Sequence, residues 1–217
     1  MDHANASLIH LLDSLPISDW GIADIRGLHP LADKYPTAIS MLFEYSLDFD
    51  EHSDQEYDCL LVETRIKAKQ AMESVIADLE HIGAQFYAVG RVGQNEETLT
   101  GDFPLKTAAT QAGLGWIGKN GLLVSDKFGP RVRLEAILVD LSLTPSEPIT
   151  QSNCGDCSIC VNGCPINCLR NVQWKVGIDR NDLIDAYACA DYRKSFIPTL
   201  GRRLACGWCA LKCPKGR

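Results

Sequence analysis

Seven of the ten cysteines in this 217-residue chain stand in two runs, Cys154-x2-Cys157-x2-Cys160-x3-Cys164-Pro165 and Cys206-x2-Cys209-x3-Cys213-Pro214. The first spacing lets one tight loop wrap three corners of an iron–sulfur cube while the fourth thiolate serves a neighbouring cluster. Proline directly after that thiolate suits the first turn of a helix, where its missing N–H is not needed. Two [4Fe–4S] clusters need eight thiolates, and Cys189, between the runs, supplies the eighth. The pattern assigns Cys154, Cys157, Cys160 and the distant Cys213 to one cluster. It assigns Cys164, Cys189, Cys206 and Cys209 to the other. Cys168 is expected beside the second cluster, on the same face of a helix after Pro165 as Cys164. Cys59 is expected to be a small buried hydrophobe, and Trp208 a shield between a cluster and water. Structural zinc also uses Cys-x2-Cys pairs, but zinc does not account for a four-cysteine run closed by proline.

The chain is long enough for one core plus a small second domain. Its first residues, MDHANASLIHLLDSLP, have neither a basic leader nor the apolar run of a signal peptide. No apolar stretch reaches membrane-spanning length. A cytoplasmic location is therefore expected, where dense cysteines point to metal rather than disulfides. Residues 1–100 hold 6 Lys/Arg against 18 Asp/Glu, a balance of −12, and residues 101–217 hold 15 against 10, a balance of +5; together they give the overall −7. An acidic first half argues against broad nucleic-acid binding. The basic residues beside the cysteines either offset the charge of thiolate-bound clusters or face an anionic ligand.

The elements that must position this chemistry read as an α/β (α+β) arrangement. Helix is expected over 5–14, strand over 20–23 with a turn at Gly27, and strand over 38–43. Cys59 to Ile82 carries Ala68, Met72, Val75, Ile76, Leu79 and Ile82 on one helical face, with Gly83 to end it. The acidic segment Asp48 to Asp58 reads as a solvated loop or helix start, and 90–102 as a polar loop. Strand at 85–89, a short helix at 104–111, and strands at 122–124 and 132–141 follow, the last two pairing as a hairpin around Phe128-Gly129-Pro130. The Pro/Ser/Thr-rich stretch 142–153 reads as a linker. It divides a core domain (1–150) from a cysteine domain (151–217).

Between the short helix and the next strand lies Gly113-Leu114-Gly115-Trp116-Ile117-Gly118-Lys119-Asn120-Gly121. It has the Gly-x-Gly-x-x-Gly spacing of a dinucleotide loop, but a helix precedes it where that motif needs a strand. It also approaches a phosphate loop, but Asn120 stands where Ser or Thr should be. Four glycines in nine residues allow close backbone approach to a ligand, with Lys119 as a donor, or simply a tight turn packed on the core.

Lys106-Thr107-Ala108-Ala109, Ala112 to Leu123, Phe128-Gly129-Pro130-Arg131-Val132-Arg133-Leu134 and the double cysteine motif together resemble the epoxyqueuosine reductase family, relatives of the catalytic part of reductive dehalogenases. The resemblance covers residue 101 to the end closely and 16–100 loosely. It implies a nitroreductase-like, cobalamin-binding core (1–150) followed by a bacterial ferredoxin-like two-cluster domain, with electrons passing from the clusters to cobalt. It places Lys106, Thr107, Gly113, Gly115, Trp116, Gly118, Lys119, Asn120 and Gly121 against the corrinoid. Two departures stand out. Leu105 occupies the position of the family's proton-donating aspartate, followed by Lys106 in place of arginine, with Asp102 nearby. The chain also stops four residues after Cys213, before the family's tRNA-holding helical tail, so a tRNA substrate is not expected.

The leading expectation is thus an oxidoreductase that binds a corrinoid and either reduces it or uses it on a small molecule, fed by an external low-potential electron donor. Asp102, Tyr57 and Lys106 are the candidate proton donors. Each has a plainer alternative: a loop cap, a packing residue at a helix start, a solvated side chain. The competing expectation is a non-catalytic electron carrier or corrinoid-handling partner, with the acidic half as a docking face. A flavin or nicotinamide enzyme fits less well, because the dinucleotide motif fails in context.

Overall fold

The structure, a computed structural model, describes residues 2–45, 54–90, 95 and 97–216. In chain order its elements are helix α1 (Asp2–Ser14), strand β1 (Asp19–Asp24), a 3-10 turn (Pro30–Asp33), β2 (Thr37–Glu44), α2 (Asp54–His81), β3 (Phe86–Ala88), α3 (Leu105–Gln111), β4 (Trp116–Ile117), β5 (Leu123–Val124) and β6 (Val132–Val139). Five short helices follow: α4 (Ile159–Asn162), α5 (Arg180–Leu183), α6 (Ala186–Lys194), α7 (Ile197–Leu200) and α8 (Trp208–Leu211). The mixed helix-and-strand class expected from sequence is the one observed. Among the described residues no helix is long and apolar enough to cross a membrane.

The chain forms two compact units. One comprises Met1–Tyr45, Val62–Leu114 and Arg133–Ile149; the other comprises Ser46–Leu61, Gly115–Val132 and Thr150–Arg217. This division is less sequential than the expected break at 150, because the glycine-rich stretch and the start of α2 group with the cysteines.

The first unit is built on a four-stranded sheet in the order β1-β2-β6-β3, with β1–β2 and β3–β6 antiparallel. Seven of the eight β2 positions are buried, as a central strand covered on both faces requires. Ile39, Met41 and Phe43 meet Leu8 and Leu12 of α1 and Ala68, Met72, Val75 and Leu79 of α2. Helix α3 packs against β1 and β2, where the backbone of Gly21 lies too close to Ala112 to admit a Cβ. The α2 pattern read from sequence is the one buried, although the helix already runs at Asp54. Gly83, at φ +71°, ends it in a left-handed conformation that glycine adopts without steric cost.

Several expectations change. The hairpin of 122–124 with 132–141 does not form: β5 pairs with β4 (Trp116↔Val124, Ile117↔Leu123), while β6 joins the large sheet. The reason is local, since Gly121 N–H donates to the Gly118 carbonyl and Gly118 N–H to that of Leu122 (2.8 Å each), closing the chain on itself first. No helix follows Pro165; a turn does, with Asn167 at φ +53°, a conformation that does not propagate as a helix. Cys59 is exposed rather than buried. Of the expected acidic segment, residues 48–53 lie outside the described residues, as do 91–94 and 96 of the polar loop.

Leu79 is fully buried in the α2 seam, so Leu79→Ala should cost about 2–5 kcal/mol of stability, read as a lower denaturation midpoint.

Candidate functional site

The second unit holds the cysteine runs on turns and single-turn helices, not on long elements. Helix α4 carries Cys160 and α8 carries Cys209, and the two helices pack together. Cys189 rides on α6, whose first turn is capped by the Asp185 carboxylate accepting from Ala188 N–H at 2.9 Å.

Cys154, Cys157, Cys160 and Cys213 line one pocket of about 410 Å³, measured with its open side, together with Lys119, Asn120, Val124, Pro214 and Lys215. These four are the set that the spacing assigns to one cluster, three from the first run and one from the end of the second. The remaining thiols gather separately. Cys209 is raised by burial and by the charges of Cys206, Cys160, Cys189 and Cys164, and Cys168 lies with its Sγ 3.4 Å from that of Cys164. Among the described residues no three His, Cys, Asp or Glu side chains converge closely enough for a single metal ion. The donor chemistry fits two cubes, whose thiolates end on separate irons.

Electrostatics separate the thiols. Burial, then the neighbouring Cys154, Cys213 and Cys157, pushes Cys160 up to about 11. Burial, then Cys206, pushes Cys209 up to about 12. Cys213 and Cys189 are also raised, first by burial. At Cys164 burial acts upward too, but hydrogen bonds from the backbone of Ile166, Cys168 and Asn167 and from the Cys168 thiol outweigh it, and the thiol is lowered.

The glycine-rich stretch belongs to this unit from Gly115 onward and turns its polar residues toward the cysteines. Asn120 Nδ2 donates to the Cys209 carbonyl at 3.2 Å while its Oδ1 accepts from Leu122 N–H at 3.1 Å. Lys119 and Asn120 are both buried. The indole Nε1 of Trp116 donates to Cys154 Sγ at 3.5 Å, and Lys215 Nζ stands 5.4 Å from the centre of the Trp116 ring. The resemblance put Trp116, Gly118, Lys119, Asn120 and Gly121 at a corrinoid edge. Lys119 and Asn120 line the cysteine pocket. A Cβ at Gly115 would strike the Val124 carbonyl, one at Gly118 would lie 2.7 Å from Asn120 Oδ1, and one at Gly121 3.2 Å from Ile184. In the first unit, a Cβ at Gly113 would come within 2.7 Å of the Glu147 carbonyl.

The candidate proton donors divide between the units. Asp102 is exposed and Lys106 and Thr107 half-buried, all in the first. Tyr57 lies in the second and packs against Gly207, where a Cβ would stand 2.7 Å from its hydroxyl. The next residue, Asp58, pairs with Arg202 at 2.8 Å. This is the packing role foreseen as the alternative for Tyr57. Trp208 is 48 % exposed with Lys212 Nζ 5.2 Å from its ring centre, so the tryptophan bonded to a cysteine sulfur is Trp116.

Arg131 went unassigned in the sequence. It is 2 % exposed and donates to the carbonyls of Ala210 (3.3 Å), Cys213 (2.9 Å) and Lys215. The available signal was an arginine between a Gly-Pro turn and an apolar strand, a place where a charge is buried only when it has partners.

No family model matches the chain. The epoxyqueuosine reductase of Staphylococcus aureus (strain NCTC 8325 / PS 47) is 34% identical over 127 residues, 54% of this chain and 31% of that protein. Over that stretch the chain is similar to the epoxyqueuosine reductases. The matched region spans about a third of the curated relatives' length, as in the 31% above. Two solved structures share the fold over nearly the whole chain. One is an epoxyqueuosine reductase with an epoxyqueuosine-modified tRNA stem loop (TM-score 0.64, 16% identity, 99% of this chain and 65% of that one). The other is a reductive dehalogenase described by a mechanism for B12-dependent dehalogenation (TM-score 0.70, 18% identity, 97% and 32%).

Two predictions follow from the site's chemistry. Because Cys160 and Cys209 are raised above the ordinary thiol value of 9.0, the metal-free fold keeps its full stability below about pH 9. It loses stability as pH climbs through 11 to 12, since the unfolded chain gives up these protons first. Urea midpoints of metal-free protein between pH 8 and 11 should fall, and a flat profile would contradict the assignment. Arg131→Lys cannot reach three carbonyls with a fork; it should cost about 2–3 kcal/mol and show as a lower thermal midpoint.

Proposed function

We propose that this chain is an iron–sulfur oxidoreductase of the epoxyqueuosine reductase kind, carrying two [4Fe–4S] clusters and passing electrons singly to a bound acceptor. Cys154, Cys157, Cys160 and Cys213 would hold one cluster, and Cys164, Cys189, Cys206 and Cys209 the other. The observation that carries this reading is the pocket into which both cysteine runs send thiols in the combination the spacing demands. When bound, the clusters supply one-electron chemistry at a potential set by charge and by hydrogen bonds to sulfur. The chain's own part is to supply those settings. Lys119 and Lys215 on the pocket wall offset negative charge, and the Trp116 N–H withdraws density from Cys154.

A corrinoid is the acceptor favoured by the fold shared with a B12-dependent dehalogenase. The names of the relatives favour the epoxide of epoxyqueuosine as substrate over the unassigned small molecule that the sequence reading preferred. Asp102 is the first candidate to deliver a proton, ahead of Lys106, because it is exposed in the unit that does not hold the cysteines. The second reading is a two-cluster electron carrier, which needs no more than the two groups of thiols.

The deciding experiment is anaerobic reconstitution followed by EPR of the reduced protein, alone and with cob(II)alamin, then turnover on an epoxyqueuosine-modified tRNA stem loop. About eight irons per chain, a perturbed cob(II)alamin signal and loss of the epoxide support the oxidoreductase. The same iron with an unperturbed cobalt signal and no turnover supports the carrier. Far fewer irons would overturn both. Trp116→Phe should lower the midpoint potential of one cluster only, by roughly 30–60 mV, where 59 mV is tenfold for a one-electron couple.

A further inference from the structure

The second group of thiols has a member that a cube has no separate corner for. Cys168 is 6 % exposed and is held from several sides. Asn167, in its left-handed turn, brings the chain back toward Cys164. The Asp185 N–H donates to the Cys168 carbonyl at 2.8 Å, and the bridge Leu169↔Ile184 pins the next residue. The Cys168 Sγ lies 3.4 Å from Cys164 Sγ and within hydrogen-bonding reach of the Cys189 thiol. Two sulfurs this close cannot serve two irons of one cube and must compete for one.

We propose that Cys168 is a reserve ligand of the second cluster, sharing the Cys164 corner and able to replace Cys164 on its iron. The inference rests on the two-cluster reading above. In the exchange the Fe–S bond to Cys164 breaks and the Fe–S bond to Cys168 forms. The proton of the Cys168 thiol passes to the departing Cys164 sulfur, and no electron is gained or lost, so the cluster keeps its oxidation state. Among the described residues the first pocket is lined by those four cysteines and no fifth thiol, so the two clusters differ in how readily a corner opens and recloses.

The test uses the full chain reconstituted anaerobically as wild type, Cys164→Ala, Cys168→Ala and the double variant, read by iron content and reduced-state EPR. Wild type and both single variants should hold about eight irons per chain and the double variant about four, with Cys164→Ala showing altered g-values for one cluster. Cys164→Ala holding about four irons, or about seven with a three-iron signal, overturns the proposal. Should Cys164→Ala not fold, iron release to a chelator decides. Cys168→Ala should lose half its iron about tenfold faster than wild type, whereas release unchanged from wild type, with Cys59→Ala as the exposed control, overturns it. Wild type failing to load eight irons is the distinct failure of the two-cluster reading itself.

Discussion

The last cysteine run cannot satisfy its own backbone. A segment that must aim Cys206, Cys209 and Cys213 inward has room for only one helical turn, α8, and leaves carbonyls without partners inside the unit. Arg131 takes three of these carbonyls on one guanidinium, and Asn120 takes that of Cys209. Both side chains come from the middle of the chain, and both are buried. A buried charge is tolerated only with this many acceptors, and a buried carbonyl only with a donor, so each group removes the other's penalty. The cysteine unit therefore requires residues 115–132 for its fold, which is why those residues group with it and not with the sheet that follows.

The same dependence explains the glycines. A stretch rich in glycine before a lysine invites a ligand-binding reading, yet here the backbone of Gly115 lies against Val124 and that of Gly121 against Ile184. Gly129 lies so close to the Lys215 carbonyl that no side chain fits. Close approach is what the glycines provide, and the partner is protein. Lys119 then faces a pocket of thiols, where burial and then the neighbouring Cys154, Cys213 and Cys157 hold Cys160 high. Metal binding must expel the protons of such raised thiols, and nearby cations ease that step.

What the sequence disclosed was whatever is set by local spacing. The assignment of Cys213 to the pocket of Cys154, Cys157 and Cys160 is legible because a cube imposes fixed loop lengths on its ligands. The buried face of α2 is legible because Ala68, Met72, Val75 and Leu79 repeat with helical period. The pairing of β5 was not legible. Two residues carry no pattern of their own, and the choice between β4 and β6 was made by a Gly118–Gly121 turn. The missing helix after Pro165 turned on the conformation of Asn167, which proline spacing does not encode. The exposure of Cys59 and the inward aim of Lys119 depend on packing that no local rule describes.

The two groups of thiols, built on one repeated motif, have been given unlike surroundings. The first has an indole N–H on Cys154 and two lysines on its pocket wall. The second has a fifth thiol and the charge of Arg193 beside Cys189, with backbone N–H groups gathered on Cys164. Cations and N–H donors stabilise the reduced, more negative state of a thiolate-bound cluster. In the first group Trp116 and Lys119 are buried, where a charge acts through little water, whereas Lys215 is exposed. Arg193 is exposed and already donates to the Leu204 carbonyl, so its effect on Cys189 is screened.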